Sequence, residues 1–148
     1  MEYNDFVNSQ HQLSETDFDW LYKETDIVLP SEVRSHYLLF NGGEPEQYIY
    51  IKDGDKYVVQ EFFSIRYGEA GRTIENNYRD LVLNEKVIPS NMVPFGRDPA
   101  GDFYCFDVAT GSISIFRSES LPDLNNCITM LASSMTEFVY GLVEDIEN

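Results

Sequence analysis

Basic residues are scarce in this sequence: ten Lys and Arg face 26 Asp and Glu, for a formal net charge of −16. Binding to nucleic-acid phosphates or anionic lipid needs clustered Lys and Arg, so neither is expected as a partner. No run of about 18 apolar residues occurs, and nothing reads as a membrane-spanning helix. The start, MEYNDFVNSQ, has acids where a secretory signal would carry positive charge followed by an apolar stretch; a cytoplasmic protein is expected. Cysteine is sparse as well. Cys105 and Cys127 sit in apolar settings (FYCFD and NNCITML), where small buried hydrophobes are expected rather than a disulfide.

Catalytic patterns are missing. There is no GxSxG, no glycine-rich phosphate loop with its Lys, no Cys-x-x-Cys and no HExxH. His11 and His36 are too isolated to assemble a triad, and His36 is expected at the surface or at the edge of the core. Asp53-Gly54-Asp55 begins like a calcium loop, but Lys56, Tyr57 and Val58 are not the ligands that should follow. The expectation is a protein that binds rather than catalyses, with no metal and no cofactor.

What is present suffices for a core. At 148 residues, 43% hydrophobic and 14% aromatic, the chain is expected to form one domain over 1–148, with 1–13 as a loose arm. Ser14-Glu-Thr-Asp17 resembles a capping box, and Phe18, Leu21 and Tyr22 at i, i+3, i+4 predict the buried stripe of a helix. Trp20 falls on the opposite side, with Asp17 and Glu24. Pro30-Ser31 starts a second helix, Glu32 to about Phe40, with Val33, Tyr37 and Phe40 on one side; Asn41-Gly42-Gly43 stops it.

The centre reads as sheet. Tyr48–Lys52, a turn at Asp53-Gly54-Asp55, and Lys56–Ser64 predict a hairpin. After a Gly-rich loop from Arg66 to Arg72, Thr73 caps a third helix that ends before Pro89-Ser90. Met92–Phe95, Asp102–Val108 and Ser112–Phe116 predict further strands, with a short one possible from Cys127 to Leu131. Ser134-Met-Thr-Glu137 is a capping box, and Met135, Phe138, Val139, Leu142, Val143 and Ile146 predict a closing helix with one apolar face. The fold expected is α+β: a central, mainly antiparallel sheet flanked by N-terminal helices, a mid-chain helix and a C-terminal helix.

Charge is segregated along the chain. Residues 1–30 hold seven acids against one Lys, and 118–148 hold six acids and no base. Solubility alone does not require that. Acids at the end of the closing helix would oppose its dipole, a hint that negative charge is wanted there. On charge and exposure, the candidate partner-binding residues are Asp17, Asp19, Trp20, Glu24, Asp53, Asp55, Glu137, Tyr140, Glu144 and Asp145. Trp20 is either a docking anchor or is covered by another element.

Three stretches in order carry a family resemblance: Leu29-Pro30 with the helix ending in Asn41-Gly42-Gly43, then PFGRDPAGDFYCFDVATGSISIF (Pro94–Phe116), then LASSMTEFVYGL (Leu131–Leu142). The chain resembles the SUKH superfamily, in the branch of the yeast cell-wall-assembly regulator and its bacterial relatives. Met135 stands where that family usually has Phe. The resemblance implies a binding module. Bacterial single-domain members are similar to immunity proteins that neutralise a secreted polymorphic toxin; fungal members are regulatory hubs with long flanks. The expected partner is therefore a basic cognate toxin, such as a nuclease, met by an acidic surface on a monomer. Two alternatives stay open: a regulatory scaffold without a toxin, and a small-ligand domain using the sheet face or the Gly68–Gly71 loop.

Overall fold

Five strands, β5 (Glu61–Phe62), β6 (Met92–Arg97), β7 (Phe103–Asp107), β8 (Ile113–Phe116) and β9 (Ile128–Ala132), pair antiparallel in that order in a computed structural model that describes residues 3–146. The β7–β8 hairpin turns where Asp107 Oδ1 accepts from the N–H groups of Ala109 (2.7 Å) and Thr110 (3.0 Å). Gly111 there takes φ 78°, which a side chain would resist. One sheet face bears Tyr104, Phe106, Ile113 and Ile115 and packs on the main core; Cys105 and Phe116 on the other face meet Val82, Ile88, Met92 and Cys127 in a second cluster. With both faces covered, Tyr104, Cys105 and Phe106 are all buried. Both cysteines are free, and burial pushes the Cys105 thiol well above its usual pKa.

Helices α1 (Glu15–Thr25), α2 (Ser31–Leu39) and α5 (Met135–Gly141) belong to the main core; α3 (Ile74–Tyr78), prolonged by a π-helical turn at Arg79–Asn84, contributes to both clusters. Phe138 of α5 is fully buried among the rings of Tyr50 (4.9 Å), Tyr104 (5.7 Å), Phe62 (6.3 Å) and Phe95 (6.1 Å). Burying such a ring contributes about 2–3 kcal/mol before the edge-to-face terms are added. Two small antiparallel pairs flank the sheet: β1 (Phe6–Val7) with β2 (Glu44–Pro45), and β3 (Ile49–Lys52) with β4 (Asp55–Val58). A short helix, α4 (Leu124–Cys127), leads into β9.

The α+β class and the mainly antiparallel sheet are as expected, and several local expectations need correction. Residues 3–13 are not a loose arm: β1 pairs with β2, and Asn4, Phe6 and Leu13 are buried. In α1 the buried face is Asp17, Phe18, Leu21 and Thr25, while Tyr22 is 51% exposed. Ser31 lies inside α2, with Pro30 at its N-cap. His36 is buried rather than at an edge, and Phe40 is only partly buried.

The predicted strand Lys56–Ser64 is two strands. Val59 N–H still donates to Tyr48 O (2.8 Å), but Gln60 N–H donates to Arg97 O (2.8 Å), so the chain changes partner between them. The closing helix stops at Gly141. Leu142 is extended (φ −69°, ψ 131°), and Val143 exchanges two backbone hydrogen bonds with Ile49 (2.8 and 3.2 Å). Glu144 and Asp145 lie beyond the helix end and therefore oppose no helix dipole.

Candidate partner-binding surface

The α1 end of the candidate surface is built on its cap. Ser14 donates its backbone N–H to Asp17 Oδ2 at 2.8 Å, the reciprocal half of a capping box. The other oxygen, Oδ1, accepts from Tyr67 Oη (2.8 Å) and Arg66 Nη1 (3.1 Å), and the Asp17 side chain is 4% exposed. Burial alone would raise this carboxyl's pKa, but the bonds from Ser14, Tyr67 and Arg66 together hold it below the usual carboxylate value. Asp17, expected outside beside Trp20 and Glu24, is thus an internal residue. The helix is turned so that loop residues satisfy it.

Arg66 itself has a left-handed backbone, φ 65°, an arrangement unusual for a side-chain-bearing residue. Three contacts hold it there: its N–H donates to Glu75 Oε2 (2.9 Å), its guanidinium pairs with Asp17, and its Cζ lies 5.1 Å from the Trp20 ring centroid. Trp20 is half-buried, packed against the core and overlaid by Arg66. Its neighbours are also engaged, since Glu24 pairs with Arg79 (3.6 Å) and Glu15 with Arg34. Asp19 remains exposed with no ion pair among the described residues.

The C-terminal end is arranged differently. In the β3–β4 hairpin, Lys52 pairs with Asp55, and the two turn residues Asp53 (φ 52°) and Gly54 (φ 82°) are both left-handed. That is the geometry of a tight twisted hairpin, and it leaves Asp53 and Asp55 exposed at the tip. One hairpin face sends Tyr50 and Tyr57 into the core. The tail after α5 bridges Ile49 and brings Asp145 to Tyr48 Oη (3.4 Å) and Lys56 Nζ (3.9 Å). Glu144 is exposed, with no ion pair among the described residues. Between hairpin and tail runs a groove of about 540 Å³ lined by Ile49, Ile51, Lys56, Val143, Glu144 and Ile146.

Two further candidates lie on α5. The Glu137 carboxylate accepts from Ser133 N–H (3.0 Å) and from the Ser133 hydroxyl, bonds that hold its pKa low, while Ser134 Oγ caps the helix by accepting from Glu137 N–H (3.1 Å). Tyr140 is 39% exposed and meets the Tyr3 ring edge-on at 5.1 Å. The structure thus sets Glu144 and Asp145 beside the hairpin that carries Asp53 and Asp55, and ties Asp17 and Glu24 to arginines. α1 contacts α3, whereas α5 contacts α2, β3 and β9, so the two acidic ends rest on different supports.

Sequence reasoning missed Arg66, because nothing in Ile65-Arg66-Tyr67 signals a left-handed backbone or a partner 49 positions away. It also missed Ile51, though alternation in Ile49-Tyr50-Ile51 would have placed Ile51 opposite the core-facing Tyr50. A third omission is Glu61, buried, whose oxygens accept from Arg72 Nε (2.9 Å) and Arg97 Nε (2.6 Å) beside a cleft of only about 70 Å³ next to the Gly68–Gly71 loop. Among the described residues no helix is long and apolar enough to cross a membrane.

The signature stretches have structural work in this fold. A Cβ on Gly42 would lie 2.8 Å from Ser64 N, and one on Gly43 would lie 2.5 Å from Val7 O. Asn41 donates to His11 O (2.9 Å) and Ile65 O (3.1 Å) and accepts from Ile65 N–H (2.7 Å), pinning the N-terminal segment to the chain that follows β5. A search of curated proteins finds no match. The sequence pattern of the SMI1 / KNR4 family (SUKH-1) matches residues 12–141, and the chain belongs to that family.

Proposed function

We propose that this protein is a cytoplasmic immunity protein that neutralises a cognate secreted toxin of basic charge, by binding it and not by catalysis. Membership of the SUKH-1 family supports a protein-binding role. The net charge of −16 carries the rest, because it favours a basic macromolecule and raises its rate of capture. Fast capture suits an inhibitor that must act before its target does. A nuclease fits this reading, since such an enzyme needs positive charge to hold its own substrate.

The test is co-expression with the toxin encoded beside this gene. Growth rescue together with co-purification of the two proteins is expected. A neighbouring toxin that kills equally well in the presence of this protein contradicts the proposal.

A further inference from the structure

Fourteen large apolar side chains are notably exposed among the described residues, and four of them gather at one place. Ile51 (53%), Val143 (39%) and Ile146 (66%) line the groove between the β3–β4 hairpin and the tail, and Tyr48 (38%) adjoins it through Asp145. Apolar surface rimmed by charge is the usual mark of a docking site. The tail pairs with Ile49 and leaves Tyr48 and Ile51 exposed.

The rim identifies the occupant. At or beside the groove stand four carboxylates (Glu144 in its lining, Asp145 against Lys56 and Tyr48, and Asp53 and Asp55 at the hairpin tip) against two lysines, Lys52 and Lys56. Of these, Asp145 alone is ion-paired among the described residues, to Lys56 at 3.9 Å. Along α1 five acids (Glu15, Asp17, Asp19, Glu24 and Asp26) meet Lys23 and three arginines, Arg34, Arg66 and Arg79, each paired. Charge around the groove is thus less offset by bases than the charge along α1. A second copy would bring the same acidic rim and an overall charge of −16, and the two would repel. A basic partner meets no such penalty.

We propose that the groove between the β3–β4 hairpin and the C-terminal tail is the docking surface for a basic protein, with an apolar side chain of that protein seated against Ile51 and Val143 and its cations facing Glu144 and the hairpin tip. This rests on the protein-binding reading above and locates its surface. The apolar centre sets the lifetime of the complex, and the rim sets its rate of formation.

The experiment titrates the 15N-labelled full chain with the peptide acetyl-Lys-Leu-Lys-Leu-Lys-amide and, in parallel, with acetyl-Glu-Leu-Glu-Leu-Glu-amide. Amide shifts at Ile51, Lys56, Val143 and Glu144 with the basic peptide alone are expected, weakened about tenfold by Ile51→Ser. Ile51 is solvent-exposed, so an unchanged thermal midpoint confirms that the variant folds. Equal shifts with both peptides, shifts confined to α1, or no shift overturn the proposal. So do shifts at these amides on raising protein concentration without peptide, which would assign the face to a second copy. Co-expression separates the two readings. Full growth rescue by Ile51→Ser removes this surface and leaves the immunity role, whereas a wild-type chain that fails to rescue but binds the basic peptide keeps the surface and removes the toxin.

Discussion

Arg66 Nη1 stands 3.1 Å from Asp17 Oδ1, joining a loop residue of left-handed backbone to a buried carboxylate in the first turn of α1. The same carboxylate caps the helix at Ser14 and receives the Tyr67 hydroxyl. A residue with the charge and spacing of a surface contact is instead the joint between α1 and the loop leading to α3.

Asp17→Ala is expected to destabilise the protein by about 2–4 kcal/mol, by removing the cap and leaving Tyr67 and Arg66 without their acceptor. Urea denaturation measures this. Because the folded carboxyl titrates below its unfolded value, its stabilisation is complete above about pH 4 and is lost as pH falls further. The gap between wild type and variant should close in that direction.

His36 is expected to make the chain acid-sensitive. Its Nδ1 shares a hydrogen bond with Tyr3 Oη (2.6 Å), its Nε2 has no partner among the described residues, and the Phe6 and Phe62 rings lie at 4.9 and 5.1 Å. Burial lowers its pKa to about 3, against about 6.5 when unfolded. The unfolded chain thus binds this proton more readily, so stability is full above about pH 6.5 and declines as pH falls toward 3. About 2 kcal/mol should be lost from this residue between pH 7 and pH 5. Unfolding free energies of the wild type and of His36→Leu across that range check it: the variant should show a shallower slope.

Gly43 has φ 105° and lies against Val7 O, and Gly42 has φ 73° and lies against Ser64 N. Gly54, at φ 82°, has open space around it. Gly54→Ala is expected to cost about 1–2 kcal/mol through backbone conformation alone. Gly42→Ala and Gly43→Ala should cost distinctly more, since backbone must also move. Thermal melts of the three variants rank them.

Much of the fold was readable because it is local. Caps at Ser14, Thr73 and Ser134 and the Ala109-Thr110-Gly111 turn depend on neighbours within a few residues; α2 instead ends on an extended Phe40, and the Asn41-Gly42-Gly43 expected as its stop is fixed by Val7, His11, Ser64 and Ile65. What failed was decided by distant partners. Val143 and Ile146 fit helical spacing, yet the helix ends at Gly141 and Val143 pairs with the backbone of Ile49 instead. Gln60 turns from the hairpin to β6 for the same kind of reason. The candidate site suffered most, because which acids stay unpaired depends on where Arg34, Arg66 and Arg79 arrive from elsewhere in the chain.

Charge reversal should therefore act unequally. Glu144→Lys is expected to slow capture of a basic partner severalfold, while Glu24→Lys, which frees Arg79 as well as adding a cation, should mainly lower stability. Stopped-flow association with the cognate toxin and thermal melts of both variants separate these effects.

The central claim is capture of a basic protein by an acidic surface, and the most direct measurement is the association rate with that toxin as salt is raised from about 0.01 M to about 0.15 M, where the Debye length shrinks from roughly 30 Å to roughly 8 Å. The account predicts a fall of about tenfold or more. A rate that stays the same across that range would contradict it.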